Sequence, residues 1–141
     1  GYLVKLDTNG TRPELIRWAL DAGTVDFVAM DIKAPLRRYA AMAGVAVDLS
    51  AIEQSIAIIR SMAPAYEFRT TAGPGLCAED LLEMGTWLAG ASGYWLQVFH
   101  ANGEKGLVQD ACREQAVLNR SDLEAVWIQL RDRFQTGGVR G

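Results

Sequence analysis

Acidic and basic residues alternate along three short stretches of this chain. Lys5 and Asp7 lie two residues apart, as do Asp31 and Lys33, and Glu67 is followed at the same interval by Arg69 and Thr71. Strand side chains point to alternate faces, so residues two apart share a face. If those faces turn into one barrel-like interior, it holds three acids and three bases. An unpaired buried charge costs several kcal/mol, and a design for stability would place Val or Ile there. A balanced set of charges suits a wet pocket for a ligand bearing both signs. A small zwitterion fits it better than a polyanion.

Each stretch also has a plainer explanation. Asp7-Thr8-Asn9-Gly10 reads as a turn, since Asn and Gly tolerate positive φ and Asp accepts local hydrogen bonds. Asp31 and Lys33 read as a solvated strand-end ion pair, worth at most about 1 kcal/mol. Glu67 and Arg69 could simply pair with each other. Other chemistry is thinner. His100 is the sole histidine, and the two cysteines, Cys77 and Cys112, form no CxxC. Gly73-Pro74-Gly75 lacks the lysine of a P-loop and the dinucleotide fingerprint, so it reads as a turn. No Ser-His-Asp or Cys-His arrangement marks a covalent nucleophile. The four tryptophans, Trp18, Trp87, Trp95 and Trp127, sit on predicted elements and read as core.

The elements that must position these charges alternate between strand and helix. Tyr2 to Leu6 reads as a first strand, Val25 to Met30 as a second, Tyr66 to Thr71 as a third and Tyr94 to Phe99 as a fourth. Between them, Thr11 caps a helix with Glu14 completing a capping box, Pro13 lies in its first turn, and Gly23 ends it. Leu15, Trp18 and Ala19 form its apolar face. Asp48-Leu49-Ser50 opens a longer helix carrying Ile52, Ile56 and Ile59, with Pro64 beyond its end. Leu36 to Ala41 reads as a short helix and Ala78 to Leu88 as a longer one. Ser121-Asp122-Leu123-Glu124 opens a last helix reaching about Phe134. His100 to Asn119 reads as a loop with a helical piece, and Gly137 to Gly141 as a tail. This order predicts parallel strands with right-handed crossovers. Such sheets place ligands at the C-terminal ends of their strands, where Asp7, Asp31 and Lys33 fall.

Length and composition bound the answer. The chain has 141 residues, room for one domain with a proper core. Half of the residues are apolar, which argues against disorder. A net charge of −3 argues against a nucleic-acid surface, which needs a basic stripe. No apolar run approaches the ~20 residues of a membrane span. Two free thiols suit a reducing cytoplasm. The chain begins at Gly1, inside the first strand and without an initiator Met, which predicts a piece of a larger protein.

Three strings carry a resemblance. Val4-Lys5-Leu6-Asp7-Thr8-Asn9-Gly10-Thr11, Val28-Ala29-Met30-Asp31-Ile32-Lys33-Ala34-Pro35 and Tyr66-Glu67-Phe68-Arg69-Thr70-Thr71 arrive in this order and at this spacing. Together they resemble the radical S-adenosylmethionine activating enzymes. These include the anaerobic ribonucleoside-triphosphate reductase activating proteins and the pyruvate formate-lyase activating enzyme. The likeness covers roughly residues 1–100.

It implies an α/β fold, a partial (β/α) barrel of the radical S-adenosylmethionine type. Residues 1–135 would be the C-terminal portion of that barrel, with parallel strands and helical crossovers, and residues 136–141 a tail. The implied chemistry uses a [4Fe–4S] cluster held by a CxxxCxxC motif. The cluster reductively cleaves S-adenosylmethionine, and the resulting 5′-deoxyadenosyl radical takes a hydrogen atom from a glycine of a partner. That partner is a glycyl radical enzyme, of the anaerobic ribonucleotide reductase or pyruvate formate-lyase type. The electron comes from a flavodoxin- or ferredoxin-like donor, and neither nucleic acid nor membrane is implied.

The resemblance also assigns residues. Asp7, Thr8, Asp31, Lys33, Arg69 and His100 are implied at the cofactor, with His100 facing its adenosyl group. Asp7, Thr8, Asp31 and the Ala29 carbonyl are implied as a monovalent-cation site beside its carboxylate. The chain departs from the family in lacking CxxxCxxC and the Gly-Gly-Glu motif that holds the amino group. As it stands it offers half of a cofactor pocket and no electron source, so the isolated chain is expected to be catalytically inert. Two other readings stay open: a non-enzymatic half-barrel interaction module that lost the cluster, and an unrelated (β/α) enzyme of a phosphorylated or carboxylated metabolite.

Overall fold

The computed structural model describes residues 1–44, 46–101 and 116–141. Five strands form one all-parallel sheet in sequential order: β1 (Lys5–Thr8), β2 (Phe27–Asp31), β3 (Tyr66–Ala72), β4 (Gly93–Val98) and β5 (Thr136–Arg140). Helices α1 (Pro13–Asp21), α2 (Tyr39–Ala43), α3 (Leu49–Met62), α4 (Ala78–Trp87) and α5 (Arg120–Leu130) connect them. Short 3₁₀ turns at Leu36–Arg38 and Arg131–Arg133 complete the order. Each strand lies beside its successor, and helices α1 to α5 contribute residues to one buried core with the sheet. The alternating βα pattern read from the sequence is this architecture, an open, partial-barrel arrangement.

The two faces of the sheet differ sharply. Val28, Met30, Ile32, Phe68, Ala72, Tyr94 and Leu96 alternate onto the helix side and are buried. They pack against Ile52, Ile56 and Ile59 of α3, Leu81 and Met84 of α4, and Leu123, Val126 and Leu130 of α5. Burying such side chains contributes roughly 1.5–3 kcal/mol each. The opposite face carries Lys5, Asp7, Asp31, Lys33, Glu67, Arg69, Thr71, Gln97 and Arg140. Parallel sheets normally bury both faces under apolar cover. Here one face is lined instead by charged and polar side chains.

Several elements depart from expectation. The first strand is Lys5–Thr8, not Tyr2 to Leu6, and Tyr2 and Leu3 are almost fully exposed. Val4 instead closes a local bridge with Asp26: its N–H donates to Asp26 Oδ2 at 2.7 Å, and its carbonyl accepts from Asp26. Thr11 does not cap α1. Its hydroxyl and N–H both go to Asn9 Oδ1, at 2.8 and 3.1 Å, and Glu14 turns to Arg12. Leu15 and Trp18, read as the core face of that helix, are exposed, and Ile16 is the buried residue. The last helix is capped by Asn119 with Asp122 rather than by Ser121.

The largest correction is at the C-terminus. The residues read as a tail form β5, paired along its length with β4. Gly137 makes this pairing feasible. A Cβ at that position would lie 2.1 Å from the Tyr94 carbonyl oxygen and 2.4 Å from the Trp127 ring. The expected loop with a helical piece falls mostly on residues 102–115, outside the described residues.

Candidate functional site

The charged face is assembled by register. Asp7 lies opposite Ala29, and Ala29 opposite Glu67; one step further along, Asp31 lies opposite Arg69, and Arg69 opposite Trp95. Asp31 on β2 and Asp7 on β1 therefore lie on the same side of Arg69 on β3, which reaches both. Its Nε sits 2.8 Å from Asp31 Oδ1 and its Nη1 2.9 Å from Asp7 Oδ1. Lys33 Nζ lies 3.7 Å from Asp31 Oδ2, and Lys5 Nζ lies 3.7 Å from Asp7 Oδ1. Burial works against the Arg69 charge, but the bonds and fields of Asp31 and then Asp7 outweigh it and raise its pKa further. The Arg69 side chain is 17 % exposed and the two lysines about half exposed. The centre of this face is thus locked, while ammonium groups at its margins stay open to a ligand.

A second unit lies beside the first. Arg140 grips Glu67 through two bonds of 2.9 Å, and its guanidinium stacks 3.7 Å above the Trp95 ring. Glu67 is only 6 % exposed, so this partner neutralises a buried carboxylate. Glu67 does not pair with Arg69, the plainer alternative for this stretch, but across β4 with β5. The face then carries four bases, Lys5, Lys33, Arg69 and Arg140, against three acids, Asp7, Asp31 and Glu67. Among the described residues, no buried side-chain nitrogen or oxygen lacks a partner.

The turns at the strand ends keep these groups in place. In Asp7-Thr8-Asn9-Gly10, the local hydrogen bonds are made by Thr8 and Asn9: Thr8 Oγ1 accepts the Gly10 N–H at 3.1 Å, and Asn9 Oδ1 accepts that of Thr11. Gly10 has φ +76, and its carbonyl accepts the buried Ser55 hydroxyl at 2.7 Å. The turn is therefore real, yet it leaves Asp7 free for Arg69. After β2, the Lys33 N–H donates to the buried Tyr39 hydroxyl at 3.2 Å. Burial pushes the Tyr39 phenol pKa up, so it stays a neutral partner.

The neighbouring rim is tied down by Asp80, which is fully buried. Arg37 reaches Asp80 at 2.7 Å and Glu83 at 2.8 Å, and Arg38 holds both Asp80 and the Gly75 carbonyl. Burial pushes the Asp80 carboxyl up, but the Cys77 N–H and thiol and the two guanidiniums outweigh it and hold its pKa below the usual value. Gly73-Pro74-Gly75 is thus strapped to the segment that follows β2.

Not every residue expected at the site joins it. Thr8 belongs to the opposite parity, and its hydroxyl is engaged in the turn. His100 lies past the end of β4, exposed and close to Gly141 rather than to the aspartates. Asp7 and Asp31 share their cation with a side chain, Arg69, and do not form an open cage with Thr8 and Ala29. These residues do not fit a resident monovalent cation. Among the described residues, no group of three or more His, Cys, Asp or Glu side chains could hold a metal ion. Sequence reasoning missed Arg140, Trp95 and Tyr39. The strand holding Arg140 opens with Thr136, Gly137 and Gly138, and glycine is depleted in strands, so that composition hid β5. Shallow clefts of about 430 and 410 Å³ lie between the helices, at Glu53, Arg60 and Trp87 and at Arg17 and Gln54. They are on the far side of the sheet and contain no comparable charge cluster.

An all-parallel α/β sheet with a charged open face and a helix-covered back has a partial (β/α)-barrel-like architecture. Among curated proteins, the chain is 32 % identical over 87 residues to a Methanocaldococcus jannaschii protein provisionally named as a glycyl-radical enzyme activating enzyme. The match takes in 59 % of this chain and 36 % of that relative, so the chain spans about a third of the relative's length. No family model matches the chain. No solved structure matches it significantly. Among the described residues, no helix is long and apolar enough to cross a membrane.

Proposed function

We propose that this chain is part of a glycyl-radical-enzyme activating protein, and that its charged sheet face forms one side of an S-adenosylmethionine pocket. The observation that carries the reading is the convergence of Asp7, Asp31, Lys33 and Arg69 on one face at the C-terminal ends of the strands. S-adenosylmethionine carries a sulfonium, an amine and a carboxylate. A face with anchored carboxylates and exposed ammonium groups meets both signs of that ligand. Lys33, held by its backbone at Tyr39 and half exposed at Nζ, would receive the carboxylate. Asp7 and Asp31, oriented by Arg69, would face the amine and the sulfonium. His100 would stand outside this cluster, toward the adenosyl end.

The likeness to the Methanocaldococcus jannaschii protein supports the same reading from the sequence side. In such a protein a [4Fe–4S] cluster would supply the electron for cleaving the cofactor, and its ligands would come from cysteines other than those in the described residues. The partner would be a glycyl radical enzyme of the anaerobic ribonucleotide reductase or pyruvate formate-lyase type, and the reductant a flavodoxin- or ferredoxin-like protein. Calorimetric titration with S-adenosylmethionine tests the pocket. Losing a charge-assisted bond costs about 1.5–3 kcal/mol, so Lys33→Met should weaken binding by roughly 10- to 100-fold. Equal affinity of the variant and the native chain would reject the assignment of Lys33.

A further inference from the structure

We propose that Arg69 is the resident cation of this site, and that its guanidinium does the work a bound alkali-metal ion would otherwise do between Asp7 and Asp31. Two carboxylates on adjacent parallel strands repel each other and need a positive charge between them. Arg69 supplies it from the third strand, with bonds of 2.8 and 2.9 Å to one oxygen of each acid. The forked guanidinium suits this bridging role, because its donors sit in one rigid plane. Of the other groups expected around a metal ion, the Thr8 hydroxyl lies on the other side of the strand and accepts from Gly10. Lys33 lies 3.7 Å from the free Asp31 oxygen and Lys5 lies 3.7 Å from the Asp7 oxygen that Arg69 bonds, so both disfavour a metal ion seated between the two acids. Arg69 itself is largely buried, its side chain 17 % exposed, while Asp31 is a third exposed and Asp7 about half exposed.

The consequence is that the chain is indifferent to the identity of the monovalent cation around it. Removing the guanidinium creates the vacancy. Arg69→Gln leaves Asp7 and Asp31 facing each other without a counter-charge, and a metal ion can then enter. Arg69→Lys keeps a positive charge and leaves no vacancy.

The test compares thermal unfolding of the full chain in potassium chloride, sodium chloride and choline chloride at matched ionic strength. The native chain and Arg69→Lys should melt at the same temperature in all three salts. Arg69→Gln should gain about 4 °C in 0.1 M potassium or sodium over choline, the shift expected of a site with a dissociation constant near 10 mM. Adding Asp31→Asn to Arg69→Gln should abolish the gain. A native chain that is itself stabilised specifically by potassium or sodium overturns the proposal, as does an Arg69→Gln chain that melts alike in the three salts. Should Arg69→Gln fail to fold, sodium-23 NMR of the native chain decides. Line broadening no greater than that of Asp31→Asn supports the proposal, and saturable broadening that potassium reverses and Asp31→Asn lacks overturns it. No readout involves S-adenosylmethionine, so failure here is separable from failure of the proposed function.

Discussion

Arg140→Met is the most informative single change in this fold, because the last residues read from sequence as a tail and fold as a strand. In the native chain Arg140 makes two 2.9 Å bonds to Glu67, whose exposure is only 6 %, and stacks on Trp95. Removing one partner of a buried ion pair costs about 3–5 kcal/mol, because the other charge stays behind uncompensated. The Arg140 side chain is 39 % exposed, so water screens part of the pair and the low end applies. Losing the stacking adds about 0.5–1 kcal/mol. The variant should therefore lose about 3.5–4 kcal/mol, or about 12 °C in melting temperature. Urea unfolding followed by circular dichroism reads this directly. Glu67→Met combined with Arg140→Met removes both charges together. The double variant should be more stable than the sum of the single effects predicts, by about 2 kcal/mol. A loss under about 0.5 kcal/mol for Arg140→Met, as expected of an ordinary surface position, would refute the strand and its ion pair. So would strict additivity in the cycle.

Two further outcomes follow from the rim and the sheet edge. The Asp80 carboxyl has a pKa below its usual value in the folded chain, so its contribution is present above the unfolded value near 3.9 and lost as pH falls below it. Asp80→Asn should cost about 2 kcal/mol at pH 7 and show a smaller loss of stability between pH 4 and pH 2; parallel acid-unfolding curves for the two proteins would contradict this. At the other end, β1 is an edge strand beside exposed Tyr2, Leu3, Leu15 and Trp18. Open strand edges and apolar patches promote association, so sedimentation velocity should find species heavier than the 15.4 kDa chain, and a monomer at every concentration would count against it.

Much of this fold was legible because periodicity and punctuation agreed. Asp48 capping α3, and Ile52, Ile56 and Ile59 on its buried face, are where the sequence pattern puts them. The shared face of Asp7, Asp31, Lys33 and Arg69 followed from period-two alternation, a purely local rule. What stayed hidden depended on partners distant in the chain. Glu67 meets Arg140 across 73 residues, a pairing that no local spacing encodes. Thr11 and Glu14 match a capping box, but Asn9 and Arg12 compete for them, and short-range competition of this kind is invisible to a motif. Leu15 and Trp18 show helical apolar spacing, yet only Ile16 of that helix is buried. β5 escaped because Gly137 and Gly138 are chosen for close approach to Tyr94, Trp127 and Trp95 rather than for strand propensity.

Amide chemical-shift mapping with S-adenosylmethionine addresses the charged face most directly. Titration of the labelled chain should move the resonances of Asp7, Ala29, Asp31, Lys33 and Arg69 together, with one common dissociation constant. The helix-side residues Glu53, Arg60 and Trp87 should stay still. Saturable shifts centred on those helices, or no shifts on the sheet face at millimolar ligand, would contradict the assignment of that face as a cofactor pocket.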